Sequence, residues 1–270
     1  MGSIGGLSAT SRQRLTKVLR QTPATVSARE TAQVLDLDVA KASRLLARWA
    51  AFGWLSRVRR GLYIPVPIES STPDVAQQDR WVIAERLFAP CYVGGWSAAE
   101  HWGFTEQIFR PTLVVTTRRP RTRNVDARGS MFVLRTVRPR AMFGLKPVWR
   151  GRVKVHVSDP TRTILDLLDT PSTGGGIRSV LDMLRAYMGS PKCDATLLIR
   201  YADQLGNKAV FKRLGFIAST YFPENVALIK ACGTRLSAGN AKLDPKLPST
   251  RLASAWRLWV PAGFAEGARA

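Results

Sequence analysis

Val39, Ala42, Leu45, Leu46, Trp49 and Phe52 recur at three- and four-residue spacing, which predicts an amphipathic helix with these six side chains on one buried stripe. Asp38 stands where it can cap this helix, and Gly53 ends it. A helix is predicted before it over 27–35, where Ser27 and Glu30 form an S-x-x-E capping box; Asp36-Leu37-Asp38 then breaks the register. An earlier helix opens at Thr10-Ser11-Arg12-Gln13, carries Leu15, Val18 and Leu19 inward and stops at Thr22-Pro23. Residues 55–58 and 62–64 read as two strands joined at Arg59-Arg60-Gly61, where the glycine is free to take the left-handed conformation of a hairpin turn. Three helices followed by a hairpin predict a winged helix-turn-helix.

The pattern changes after the hairpin. Pro65, Pro67 and the polar stretch 69–73 read as a linker, so a domain over 1–68 is expected to precede a second over 74–262. The second should open with a helix over 73–88, with Pro73 in its first turn. A short strand at 91–93 follows, and Gly94-Gly95 leads into a helix over 96–102 that ends at Gly103. Residues 113–115 and 132–134 read as buried strands and 148–153 as a hairpin. Its second strand alternates Val153, Val155 and Val157 with Arg152, Lys154 and His156. Ser158-Asp159-Pro160 opens a helix with Ile164, Leu165 and Leu168 inward and with Asp166 and Asp169 on its surface. Residues 177–230 are helical in pieces broken at 189–191, Gly206 and Pro223, and 256–260 reads as a closing strand. Strands followed by helices predict a mixed α+β domain.

Composition narrows the class. There are 41 Lys+Arg against 19 Asp+Glu, a formal charge of +22, and the excess is shared by both halves of the chain. Such a balance favours polyanionic partners, of which nucleic acid is the commonest soluble one. Hydrophobic content of 45% is enough for a real core, which excludes a disordered basic protein. Cys91, Cys193 and Cys232 are far apart and odd in number, so neither a disulfide framework nor a C-x-x-C zinc site is available. No apolar run approaches the ~20 residues of a membrane span, and no leader is read at the N-terminus. A soluble cytoplasmic protein without membrane contact is expected.

The candidate chemistry is cationic. Lys41, Arg44 and Arg48 fall on the face of the second helix opposite its apolar stripe, with Ser43 beside them. Arginine and lysine on a recognition helix reach guanine edges and phosphates in the major groove. Arg57, Arg59 and Arg60 at the wing would meet the backbone or a minor groove. Arg118, Arg119, Arg121 and Arg123, with Arg128 after them, form either a solvated loop or a second phosphate-binding strip. Together these point to double-stranded DNA as partner.

Signals for catalysis are weak. The two histidines, His101 and His156, lack a metal-ligand partner at helical spacing. Asp159, Asp166 and Asp169 invite a metal-dependent nuclease reading, but Asp159 is better explained as a cap and no Glu-x-Lys follows on a strand. The glycine-rich stretch 171–176 lacks the phosphate-loop lysine. Trp49, Trp96, Trp102, Trp149, Trp256 and Trp259 accompany other apolar residues and are expected in the core rather than as base-stacking platforms. No catalytic residue, metal or cofactor is expected. The alternatives are a DNA-processing enzyme targeted by the winged helix and, more weakly, a ligand-sensing regulator.

Four stretches carry a resemblance. They are Gly61-Leu62-Tyr63; Tyr92-Val93-Gly94-Gly95-Trp96-Ser97-Ala98-Ala99-Glu100-His101-Trp102; Ser158-Asp159-Pro160-Thr161-Arg162-Thr163-Ile164-Leu165-Asp166-Leu167-Leu168; and Lys212-Arg213-Leu214-Gly215-Phe216. Together they resemble the AbiEi family, the antitoxin halves of abortive-infection, type IV toxin–antitoxin systems in bacteria. The resemblance implies an autorepressor encoded beside a nucleotidyltransferase-like toxin. Its winged helix would bind inverted repeats in the promoter, as a monomer in solution that pairs on DNA, and its C-terminal domain would counteract the toxin without a stable complex. The DNA-contact role then falls to Lys41, Arg44, Arg48, Arg57, Arg59 and Arg60.

Overall fold

A computed structural model describes residues 8–22, 25–59, 61–66, 79–127, 129–151 and 153–264, Arg59 by its backbone alone. In chain order the elements are α1 (Ala9–Gln21), β1 (Val26–Ser27), α2 (Ala28–Leu35), α3 (Val39–Ala51), β2 (Leu55–Arg59) and β3 (Leu62–Pro65). They continue with α4 (Arg80–Phe88), β4 (Cys91–Val93), α5 (Gly95–Trp102), β5 (Thr112–Thr116), β6 (Asn124–Ala127), β7 (Ser130–Thr136), β8 (Leu145–Arg150) and β9 (Val153–Ser158). The last are α6 (Pro160–Asp169), α7 (Ile177–Met188), α8 (Ala195–Leu205), α9 (Lys208–Tyr221), α10 (Val226–Gly233), β10 (Ala241–Lys242), β11 (Arg251–Ala253) and β12 (Leu258–Val260). The architecture is mixed α+β, and none of the described helices is long and apolar enough to cross a membrane.

Caps set the first three helices. Ser8, rather than the expected Thr10, caps α1 by accepting the Ser11 N–H at 3.3 Å. The Ser27–Glu30 box closes both ways, at 2.9 and 3.2 Å. Asp38 accepts the Lys41 N–H at 2.6 Å. Leu15, Val18, Val26, Leu46, Trp49, Leu55 and Tyr63 form the core between these helices, and the buried indole N–H of Trp49 donates to Ser11 Oγ at 2.9 Å. Val39 departs from the expected stripe and is 50% exposed. It lies in the first turn of α3 between exposed Asp38 and Ala40, past the end of this core. The two-residue strand β1, too short to show any periodicity, pairs antiparallel with β3.

The large sheet has six strands in the order β6-β7-β5-β4-β9-β8, with β4–β9 and β5–β7 parallel and the other pairs antiparallel. Its register puts Cys91, Val93, Val114, Phe132, Leu134, Val155 and Val157 on one face, which α4 covers through Trp81, Val82, Ile83, Ala84 and Leu87. The N-terminal hairpin shares this cover. Leu62 belongs to the same cluster as Ile83, Ala84, Leu87, Ala127, Phe132 and Leu134, and Val58 packs against it. The register of β2 against β3 slips between Arg57 and Arg59, leaving Val58 as the extra residue of a bulge. The two parts of the chain are also tied by Arg86, whose guanidinium lies 2.9 Å from Glu30 Oε1 on the capping-box residue of α2. Both side chains are partly exposed, so this pair contributes at most about 1 kcal/mol. The apolar contact matters more.

The opposite face presents Tyr92, Leu113, Val115 and Arg135 to α6. Every residue of α6 from Pro160 to Leu168 is buried, because α5, α7, α8 and α9 close around its other sides. Asp244 caps α7 from 67 residues away: its carboxylate accepts the Ile177 N–H at 3.0 Å and the Lys246 N–H at 2.9 Å.

Several expectations are corrected here. The helix expected from Pro73 begins at Arg80, because Asp79 caps it by accepting the Trp81 N–H at 2.8 Å. Pro73 and the linker at 67–73 lie outside the described residues. The strand expected over 256–260 starts only at Leu258, since Trp256 belongs to a 3-10 turn and Arg257 is left-handed at φ 50°. Trp149 and Trp259 are not core: they are 66% and 36% exposed, on short strands covered from one side only. Trp49 and Trp96 are buried as expected, and Trp102 and Trp256 partly so.

Trp256 explains the glycine of the Lys-Arg-Leu-Gly-Phe stretch. A Cβ on Gly215 would sit 1.9 Å from Trp256 Cζ3, and the indole is held there by a 3.0 Å hydrogen bond to Ser219 Oγ. Alanine favours a helix over glycine by roughly 1 kcal/mol. Gly215→Ala is nonetheless expected to destabilise by about 1–3 kcal/mol through overpacking. Urea unfolding reads this; an unchanged midpoint would show that the ring moves aside freely.

Candidate nucleic-acid interface

Helix α3 has two unlike faces. Ala42, Leu46 and Trp49 are fully buried, while Ala40, Lys41, Arg44, Ala47 and Arg48 face solvent. The structure therefore brings Lys41, Arg44 and Arg48 together on one exposed face, with Ser43 half-buried at its margin. The alanines among these cations are too small to hold a partner's backbone away. Their place on the solvent face follows from the same spacing that buries Ala42, Leu46 and Trp49.

The start of the helix is electrostatically anchored. The Asp38 carboxyl lies below the usual carboxylate range because it accepts the Lys41 N–H and faces the Lys41 and Arg44 cations. Lys41 Nζ is 3.2 Å from Asp38 Oδ2, an exposed pair that a phosphate can outcompete. Arg44 forms no ion pair among the described residues, and Arg48 lies over the Phe52 ring at 5.8 Å. Arg57 is exposed on β2. Arg60 lies outside the described residues, as does the side chain of Arg59. On α1, Arg12, Lys17 and Arg20 line an open groove with Gln13, Thr16 and Gln21.

Arg118, Arg119, Arg121 and Arg123 are all exposed on the segment between β5 and β6, and none is ion-paired among the described residues. Their backbone is pinned. The Arg118 N–H donates to Thr116 Oγ1 at 3.1 Å, the Arg118 carbonyl accepts from Thr136 Oγ1 at 3.2 Å, and the Arg123 carbonyl accepts the Leu134 N–H at 2.7 Å. Arg128 and Arg152 lie outside the described residues.

The carboxylates weighed for metal chemistry are engaged elsewhere. Asp166 was expected on the helix surface but is fully buried. Its Oδ1 lies 3.1 Å from Arg162 and 3.3 Å from Arg135, and its Oδ2 accepts the Tyr92 hydroxyl at 2.9 Å. Asp169 is bonded to Arg135 and accepts from Asn207 at 2.6 Å. Asp159 caps α6 through the Arg162 N–H at 2.7 Å and accepts the Tyr201 hydroxyl at 3.1 Å. Burial is the largest influence on Arg162 and acts against its charge, but Asp166 and Tyr92 together outweigh it and hold the guanidinium above its ordinary range. Burial and the Asp166 charge together push the Tyr92 hydroxyl well up. Among the described residues no three His, Cys, Asp or Glu side chains gather as a metal site. His101 lies edge-on to Trp81 and Trp102, at ring distances of 5.1 and 4.6 Å. A pairing of Arg162 with Asp159 or Asp166 is legible in the sequence from their three- and four-residue spacing on one helix, and the Arg162–Asp166 pair is observed; the burial of this network and its members Tyr92 and Arg135 were missed there.

No family model matches the chain, and no curated protein does. The fold has a solved counterpart. It is similar to the crystal structure of the Rv2827c protein from Mycobacterium tuberculosis, with a TM-score of 0.63 and 15% sequence identity over 96% of this chain and 94% of that one. At that identity the likeness concerns the fold alone.

Proposed function

We propose that the chain is a DNA-binding autorepressor and the antitoxin of a type IV toxin–antitoxin pair, as its resemblance to the AbiEi family implies. In this reading α1 to α3 and the β2–β3 hairpin are a winged helix-turn-helix, and α3 is its recognition helix. The observation that carries it is the face of Lys41, Arg44 and Arg48 set opposite the buried Ala42, Leu46 and Trp49. Phosphates and guanine edges need cations on a rigid rod that fits the major groove, and α3 supplies both. The nuclease alternative has less support, since Asp159, Asp166 and Asp169 are each engaged by hydrogen bonds and ion pairs within the chain. The domain after the hairpin would act against a nucleotidyltransferase-like toxin, without a stable complex being needed.

Footprinting and gel shift on the DNA upstream of the coding sequence test the repressor, at physiological salt with excess competitor. Protection of an inverted repeat is expected, with half-sites about 10 bp apart or a multiple of it; binding without any preferred site would defeat the reading. Co-expression with the adjacent gene tests the antitoxin. Growth should be restored by the full chain, and arrest that persists would remove that half of the proposal.

A further inference from the structure

We infer that the DNA interface is composite: the arginine segment between β5 and β6 forms a second phosphate-contacting strip beside the wing, so the second domain lies on the same duplex as α3. This rests on the winged-helix reading above and extends it to a surface that the N-terminal module does not contain.

The argument starts from the shared core. Leu62 follows the turn glycine Gly61 directly and belongs to one buried cluster with Ala127 on β6, with Phe132 and Leu134 on β7 and with Ile83, Ala84 and Leu87 on α4. The hairpin that carries the wing turn is therefore anchored, through Leu62 and Val58, in the same cluster that lies against the β6–β7 strand pair. Arg123 is bonded through its carbonyl to the N–H of that same Leu134, and Val125, two residues on, packs against the same cluster. A wing that rests on a phosphate backbone brings this strand pair, and the segment that enters it, to the same backbone.

The chemistry of the segment fits that position. Arg119, Arg121 and Arg123 are exposed, and among the described residues none of them carries an ion pair that a phosphate would have to displace. The segment that carries them is pinned at Arg118 and Arg123 by hydrogen bonds to Thr116, Thr136 and Leu134, so little backbone entropy is lost on contact. Guanidiniums on a fixed backbone suit phosphate oxygens, which need bidentate donors and carry no base identity. The strip would add affinity and orientation without sequence preference.

The test uses the full chain carrying Arg119→Ala, Arg121→Ala and Arg123→Ala. Its control removes the same charge from the helical side through Arg178→Ala, Lys192→Ala and Arg200→Ala, three exposed cations on or beside α7 and α8. Affinity for the operator and for unrelated duplex DNA is measured across a salt series. The first variant should lower the slope of log affinity against log salt by about one unit per arginine. It should weaken both DNAs by the same factor, while the control keeps the wild-type slope. Equal slopes for wild type and the first variant would overturn the composite interface and leave the α3 reading intact. Equal losses in both variants would overturn it too, as a net-charge effect. If Lys41→Ala, Arg44→Ala and Arg48→Ala together left specific binding unchanged, the recognition-helix reading would fall and this inference with it.

Discussion

Asp166→Ala is expected to lower the unfolding free energy by about 3–5 kcal/mol, the usual consequence of removing one partner from a buried ion pair. Arg162 is fully buried, and its Nε and Nη1 have no hydrogen-bond partner among the described residues. Its guanidinium lies over the Phe143 ring at 4.1 Å, and Asp166 is the only carboxylate it is paired with among the described residues. Without Asp166 a buried charge is left uncompensated, and Arg135 and the Tyr92 hydroxyl lose a partner as well. Asp166→Asn should cost less, because the amide keeps the shape and one acceptor oxygen. The double variant Asp166→Ala with Arg162→Met should recover part of the loss, since it removes the charge that the single variant strands. Thermal and urea unfolding at pH 7 give both numbers. A single-variant cost below about 1 kcal/mol would mean that water or a rearranged side chain reaches Arg162, far short of the buried-pair range.

The second large effect concerns DNA. Lys41→Ala, Arg44→Ala and Arg48→Ala together should weaken operator binding at least about a hundredfold, taking the lower end of ~1–3 kcal/mol for each good contact. The fold should tolerate the change, because all three side chains face solvent and alanine is the best helix former. Circular dichroism and an unchanged melting temperature would establish that. Arg44→Ala alone should relax the choice at one base pair, whereas loss of a phosphate contact weakens all sequences alike. A triple variant that kept its footprint would place sequence readout elsewhere on the molecule.

Much of the fold was readable where local chemistry decides it. Ser27 with Glu30, Asp38 and Asp159 act as caps, and the strand cores at 91–93, 113–115 and 132–134 were expected and observed. The cationic face of α3 was readable for the same reason, since its apolar stripe fixes the side that must face water. The orientation of Asp166 was not. A helix buried on every side has no polar stripe to reveal which way it turns, and the partners Tyr92 and Arg135 stand 74 and 31 residues away. Trp149 misled in the opposite direction, because an edge strand keeps the alternation of a buried one while leaving one side bare. The docking of the hairpin on the large sheet was invisible in sequence, where Leu62 reads as an ordinary wing residue.

That docking decides what can be cut from the protein. Leu62 belongs to the hairpin by sequence and to the sheet by contact, so a break between residues 66 and 79 does not separate two finished pieces. A fragment of residues 1–68 would carry Val58 and Leu62 bare on one side, and the remainder would expose Ile83, Ala84 and Leu87. Each half would tend to stick to its neighbours, and moving the N-terminal helices and hairpin onto another body would fail unless that body brought its own cover for Val58 and Leu62.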